Sequence, residues 1–180
     1  MTKTSKIVLN GLMISMVFLA TYFTKIPIPG SQGYFNIGDV MIMLSASFGG
    51  PLAGVLAGSL GSALADVAAG YYIYVPVTFI VKGLEGLASG IVFGKLSKHL
   101  NANAARSFAY LIAAAIMIAG YFISEYYILS LFDKNFGLTA AVAGIFTNIP
   151  QGGISVVIAL IAAPLLEKSK LFHKKDLHQI

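Results

Sequence analysis

Apolar residues fall in long runs, and the runs are broken by short segments rich in proline, glycine and charge. The first run, about 6–22 with a possible extension to Lys25, ends where Pro27 and Pro29 remove amide donors and clash with the preceding turn. A loop over 26–37 follows, with turn formers and aromatic groups (Gly30, Gly33, Tyr34, Phe35), and it can either fold over a site or simply connect. The pattern then predicts a short second helix over 38–48, an abrupt turn at Gly49-Gly50-Pro51, and a third helix to about Ala69. On that third helix Gly50, Gly54, Gly58, Ser62 and Asp66 recur at steps of four, a small-residue face that lets another backbone come close. A fourth helix starts at Tyr74-Val75-Pro76, with proline in its first turn, and ends near Gly94-Lys95. A fifth is expected over 107–131, a turn at Asp133-Lys134-Asn135-Phe136-Gly137, and a sixth to about Leu166. Pro150 inside the sixth frees the carbonyl of Phe146.

Composition puts these runs in a membrane. Of 180 residues, 57% are hydrophobic and 11% charged, and the mean hydropathy is +0.83, values foreign to a water-soluble domain. A spanning helix takes about 20 apolar residues, so the chain holds a single all-α domain over 1–180, read here as six transmembrane helices. The short alternating segments of an outer-membrane barrel are missing, and so is cysteine. With six spans the termini share one side, together with Lys3, Lys6, Lys95, Lys98, Arg106 and the basic tail over 168–180, whereas Lys25 and Lys134 lie opposite. The positive-inside rule then makes the termini cytoplasmic. The net charge of +5 follows from this topology and gives no ground for nucleic-acid binding.

The fourth helix carries the unusual chemistry. Lys82 and Glu85 sit near the middle of a span, three residues apart on one face, and Gly86, Gly90 and Gly94 continue from Lys82 at steps of four. A charge at that depth costs at least ~2.5–3.5 kcal/mol, so it faces protein or a watery cavity rather than lipid. At ~1.5 Å per residue, Lys82 and Glu125 come out roughly 10 Å below the outer surface, and Glu85, Tyr121 and Asn148 about 15 Å. Three helices therefore bring polar groups to one layer. One reading is a buried ion pair that fixes helix register. The other is an outward-facing pocket lined by Lys82, Glu85, Glu125, Tyr121, Asn148 and Gln151, closed by Tyr74, Tyr34 and Phe35, suited to a small heteroaromatic compound with hydroxyl or amino substituents. Asp39, in the first turn of the second helix, is expected to act on the helix dipole.

The runs Tyr34-Phe35-Asn36-Ile37-Gly38-Asp39, Gly49-Gly50-Pro51-Leu52-Ala53-Gly54, Gly61-Ser62-Ala63-Leu64-Ala65-Asp66, Gly70-Tyr71, Tyr74-Val75-Pro76 and Ile80-Val81-Lys82-Gly83 carry a resemblance over nearly the whole chain. It resembles a substrate-binding S component of an energy-coupling factor (ECF) vitamin transporter, most of all the hydroxymethylpyrimidine and pyridoxine branch. The resemblance implies a plasma-membrane subunit that captures a vitamin from outside. It also implies docking on a transmembrane coupling subunit with two ATPases, ligand contacts from the first loop and helices four to six, and no cofactor or metal. Members carry an Ala-xxx-Ala docking motif on the first helix, and the matching positions here are Gly11 and Ser15, which depart from it but stay small. Gly54 and Gly58 are added as further docking positions. No GxxxxGK[ST] occurs, so ATP hydrolysis would belong to partners.

Two other classes fit less well. An intramembrane enzyme could draw on Asp39, Asp66, Glu85 and Glu125, but the sequence has no paired metal-binding histidines and no nucleophile elbow. A self-sufficient carrier would show inverted repeats, and the two halves show no clear self-similarity.

Overall fold

The computed structural model describes residues 2–27 and 32–169; the loop positions Pro29, Gly30 and Ser31 and the basic tail from Lys170 lie outside them. Helix α1 spans Lys3–Phe23, its first turn capped by the Thr2 hydroxyl, which accepts from the Ser5 amide. Two short strands, β1 (Ile26–Pro27) and β2 (Tyr34–Phe35), pair antiparallel with Ile26 opposite Phe35. Helix α2 (Gly38–Leu56) continues through a π-helical turn, Ala57–Gly61, into α3 (Ser62–Ala69). Helices α4 (Val75–Leu96) and α5 (Ala102–Ile123) come next, α5 running on through a π-helical turn, Ser124–Ile128, and a tight turn, Leu129–Leu131. The last helix, α6, spans Leu138–Lys168 with Pro150 and Pro164 inside it. Among the described residues, five helical segments are long and apolar enough to cross a membrane, the second being Gly38–Ala69.

That second segment is not a straight rod. Gly50 carries φ 80° and ψ −177°, outside helical space and in a region that favours glycine, and Pro51 comes directly after it. A methyl added to Gly54 would lie 2.8 Å from Ala46 Cβ, and one added to Gly58 would lie 3.4 Å from Ile42 Cγ2. In a straight helix, residues 42 and 58 would stand roughly 24 Å apart. The chain therefore turns back at Gly50, and the stretch before it lies antiparallel to the stretch after it.

The same small residues seat α4. An added methyl on Gly54 would meet the Gly86 carbonyl oxygen at 2.6 Å, one on Gly90 would meet Pro51 Cα at 2.5 Å, and one on Gly58 would run into the Lys82 carbonyl. Gly54 and Gly58 are buried against α4 of their own chain, which corrects their assignment to partner docking: a face filled by an internal helix cannot receive another protein. Gly11 is different, exposed with nothing within 4 Å of an added methyl, and Ser15, which donates to its carbonyl at 2.9 Å, lies on the same open stretch of α1.

Packing is inverted relative to a soluble protein. The interior is rich in alanine, glycine and serine, whereas large apolar side chains such as Ile7, Leu12, Leu52, Leu131 and Phe146 point outward, as expected where lipid solvates them and close backbone approach holds the helices together. Arg106 departs from expectation. Instead of lying in a polar connection it is buried at the start of α5, because Asn101 caps that helix by accepting from the Ala104 amide at 2.9 Å and so begins it early. Its guanidinium donates to both carboxylate oxygens of Glu167 and lies over the rings of Phe48 and Phe93, at 5.8 and 5.2 Å.

Candidate functional site

A cavity of about 40 Å³, open on one side, lies among α1, β2, α3, α4, α5 and α6. Its floor begins with Lys82. This residue is 2% exposed, and its ammonium donates to Asp39 Oδ1 and, at 3.1 Å, to Glu85 Oε2. The pairing expected from the Lys82–Glu85 spacing is present, and Asp39 joins it. Asp39 is thus more than a dipole partner: its carboxylate leaves the helix end to bind Lys82, and its second oxygen accepts from Gln151 Nε2 at 2.9 Å. Gln151 in turn accepts from the Asn36 amide at 2.9 Å, while Asn36 Oδ1 accepts from the Gly38 amide. Through this chain α4, α2, α6 and the segment after β2 hold one another in place.

A second group lines the same cavity. Tyr74 donates to Glu125 Oε1 at 2.7 Å, and Tyr34 donates to Asp66 Oδ1 at 2.5 Å. Burial, reinforced by the neighbouring Asp66, holds the Tyr34 phenol well above its ordinary pKa, so it remains a donor. The Tyr121 hydroxyl shares a 3.1 Å hydrogen bond with Thr78, and its ring lies 5.6 Å from the Lys82 ammonium. Glu125 sits in the π-helical turn 124–128, and the Lys82 carbonyl abuts Gly58 in the turn 57–61. Such turns recur at functional sites because the extra residue re-aims side chains.

Of the residues expected at the site, Lys82, Glu125, Tyr121, Asn148, Tyr74, Tyr34 and Gln151 line the cavity. Glu85 does not; it is fully buried behind Lys82. Phe35 is also absent from the lining, because it alternates with Tyr34 on β2 and faces away from it. The possible Lys82–Glu125 ion pair is not formed, since each group has other partners. Thr21, Asn36, Ser62, Asp66, Thr78 and Thr147 also line the cavity, beyond the residues expected there. For Asp66 the sequence holds a signal, a carboxylate at the end of the small-residue series on α3. The hydroxyl and amide groups carry no comparable signal, since such residues occur throughout membrane helices.

A cavity lined by polar residues and held within a bundle of lipid-facing helices suits a membrane protein that binds a small solute. A family model described as ECF-type riboflavin transporter, S component, matches residues 1–168, and the chain belongs to this family. An uncharacterized protein of Pyrococcus woesei is 36% identical over 159 residues, 84% of this chain and 99% of that one. The thiamine precursor transporter HmpT of Lactococcus lactis subsp. cremoris (strain MG1363) is 26% identical over 169 residues, covering 93% and 91%. The fold matches the solved S component of a bacterial ECF transporter with a TM-score of 0.73 at 17% identity, over 94% of this chain and 99% of that one. The protein is therefore an S component, a substrate-binding part of a transporter rather than an enzyme.

Proposed function

We propose that this S component captures a small heteroaromatic vitamin precursor, with hydroxymethylpyrimidine as the first choice and pyridoxine as the second, for an ECF importer in the plasma membrane. The observation that carries the choice is the lining: among the described residues it holds three tyrosines, hydroxyls, amides, two carboxyl groups and one amine, and no aliphatic side chain. A single polar ring has edges enough to meet these groups and stacks on phenol faces. Similarity to the thiamine precursor transporter supports the same choice. In this reading the chain crosses the membrane six times, reversing at Gly50, with both termini cytoplasmic. It docks on a coupling subunit with two ATPases through the open face at Gly11 and Ser15. Isothermal titration of the purified protein with hydroxymethylpyrimidine, pyridoxine and riboflavin tests the ligand class. Tight binding of riboflavin alone would overturn it.

A further inference from the structure

Four buried polar atoms around the cavity have no hydrogen-bond partner among the described residues: Thr21 Oγ1, Ser62 Oγ, Asp66 Oδ2 and Glu125 Oε2. Asp66 is 2% exposed and Glu125 3%. Each carboxyl group is gripped through one oxygen by a tyrosine, Asp66 by Tyr34 and Glu125 by Tyr74, which fixes its orientation, and the Thr78 hydroxyl stands beside Asp66 as well. Beside Glu125 Oε2 stands Gly144, where an added methyl would come within 2.5 Å of that oxygen, so only the absence of a side chain lets the carboxyl group sit there. An unpartnered buried acceptor is costly, and two stand in one cavity. Lys82 and Lys25 act on Asp66 through their charge, but neither donates a hydrogen bond to it. Lys82 is bound by Asp39 and Glu85, and Lys25 lies over the rings of Tyr22 and Tyr71 at 5.1 and 5.8 Å.

Resting on the proposed uptake of a heteroaromatic compound, we infer that Asp66 and Glu125 are its specificity determinants. They accept hydrogen bonds from amino, hydroxyl or ring N–H donors of a neutral or cationic ligand, while Lys82 is a structural cation, so the cavity rejects the phosphate ester of the same compound. An aminopyrimidine with a hydroxymethyl arm carries donors at two separated positions, matching two separated acceptors. A phosphate would bring negative charge toward two carboxyl groups in a cavity where Lys82, the one lining cation among the described residues, is already paired.

The test titrates three pairs into the detergent-purified full chain: hydroxymethylpyrimidine and its monophosphate, pyridoxine and its phosphate, riboflavin and flavin mononucleotide. The unphosphorylated member of the bound pair should bind at least ~100-fold tighter than its ester. Asp66→Asn and Glu125→Gln, which keep the acceptor for each tyrosine, should each weaken binding by about 10- to 150-fold, the ratio for one hydrogen bond to a charged group. Both variants should melt close to the wild type, because the altered oxygen has no partner in the fold. Equal or tighter binding of an ester, wild-type affinity in both variants, or a large fall in melting temperature in both would overturn the inference while leaving uptake of a heteroaromatic compound standing. Binding of none of the six compounds would defeat that reading and the inference together.

Discussion

Replacing Lys82 with methionine removes the one ammonium that two buried carboxyl groups share. Asp39 and Glu85 are 1% and 0% exposed, and Glu85 Oε1 already has no partner among the described residues, so the variant leaves them facing each other in low dielectric. Removing one partner of a buried pair costs about 3–5 kcal/mol, which for a chain of this size lowers the melting temperature by on the order of 6–20 °C. The contacts also say which second change restores stability. Asp39→Asn or Glu85→Gln relieves the stranded charge, and the double variants should recover most of the loss, whereas Glu125→Gln should recover none, because Glu125 is held by Tyr74 and does not touch Lys82. The assay is thermal unfolding in detergent without ligand, arranged as a double-mutant cycle over the three carboxyl groups. Rescue by Glu125→Gln with none by the other two would refute the assignment of Lys82 to the Asp39–Glu85 pair.

Other outcomes rest on the packing. Gly58→Ala forces a methyl into the Lys82 carbonyl and should cost about 1–3 kcal/mol, while Gly11→Ala, at an open position, should melt like the wild type. Arg106→Met should destabilise less than Lys82→Met in the same melting assay, since the Glu167 side chain is 36% exposed and can be hydrated once abandoned. Gly11→Leu with Ser15→Leu should abolish co-purification with a coupling subunit and leave ligand titration nearly unchanged; normal assembly would move the docking surface elsewhere. A cysteine at Asn135 should react with an impermeant thiol reagent on intact cells and one at Ser169 should not, and the reverse would invert the proposed orientation.

The apolar runs and their proline and glycine breaks are legible in the chain because hydropathy and backbone chemistry are local properties. The Lys82–Glu85 contact is legible for the same reason, as it lies within one helical turn. Whatever depends on how helices rotate about their axes is not. Asp39 reads as a dipole partner because its place in the first turn is visible and its view of Lys82, 43 positions away, is not. Gly54 and Gly58 announce close approach without saying whether the neighbour is internal. Arg106 reads as a connector charge unless Asn101, five residues upstream, is taken as the cap that starts the helix before it. Depth brings Lys82, Glu125, Tyr121 and Asn148 to the same cavity, but depth says nothing of azimuth, so it does not choose the partner of Lys82.

The glycine seam between the stretch after Gly50 and α4 divides the cavity into a half tied to the frame and a half that is not. Any side chain at 54, 58 or 86 pushes two backbones apart and carries Lys82 with them, so the wall holding Lys82 and Asp39 can change only by rebuilding the frame. The opposite wall presents Tyr121, Glu125, Thr147 and Asn148 from α5, the turn after it and α6, where one side chain can be exchanged for another without moving a helix. Side chains on that wall can therefore retune the cargo around a fixed frame, with Asp66 on α3 as the acceptor the frame itself contributes.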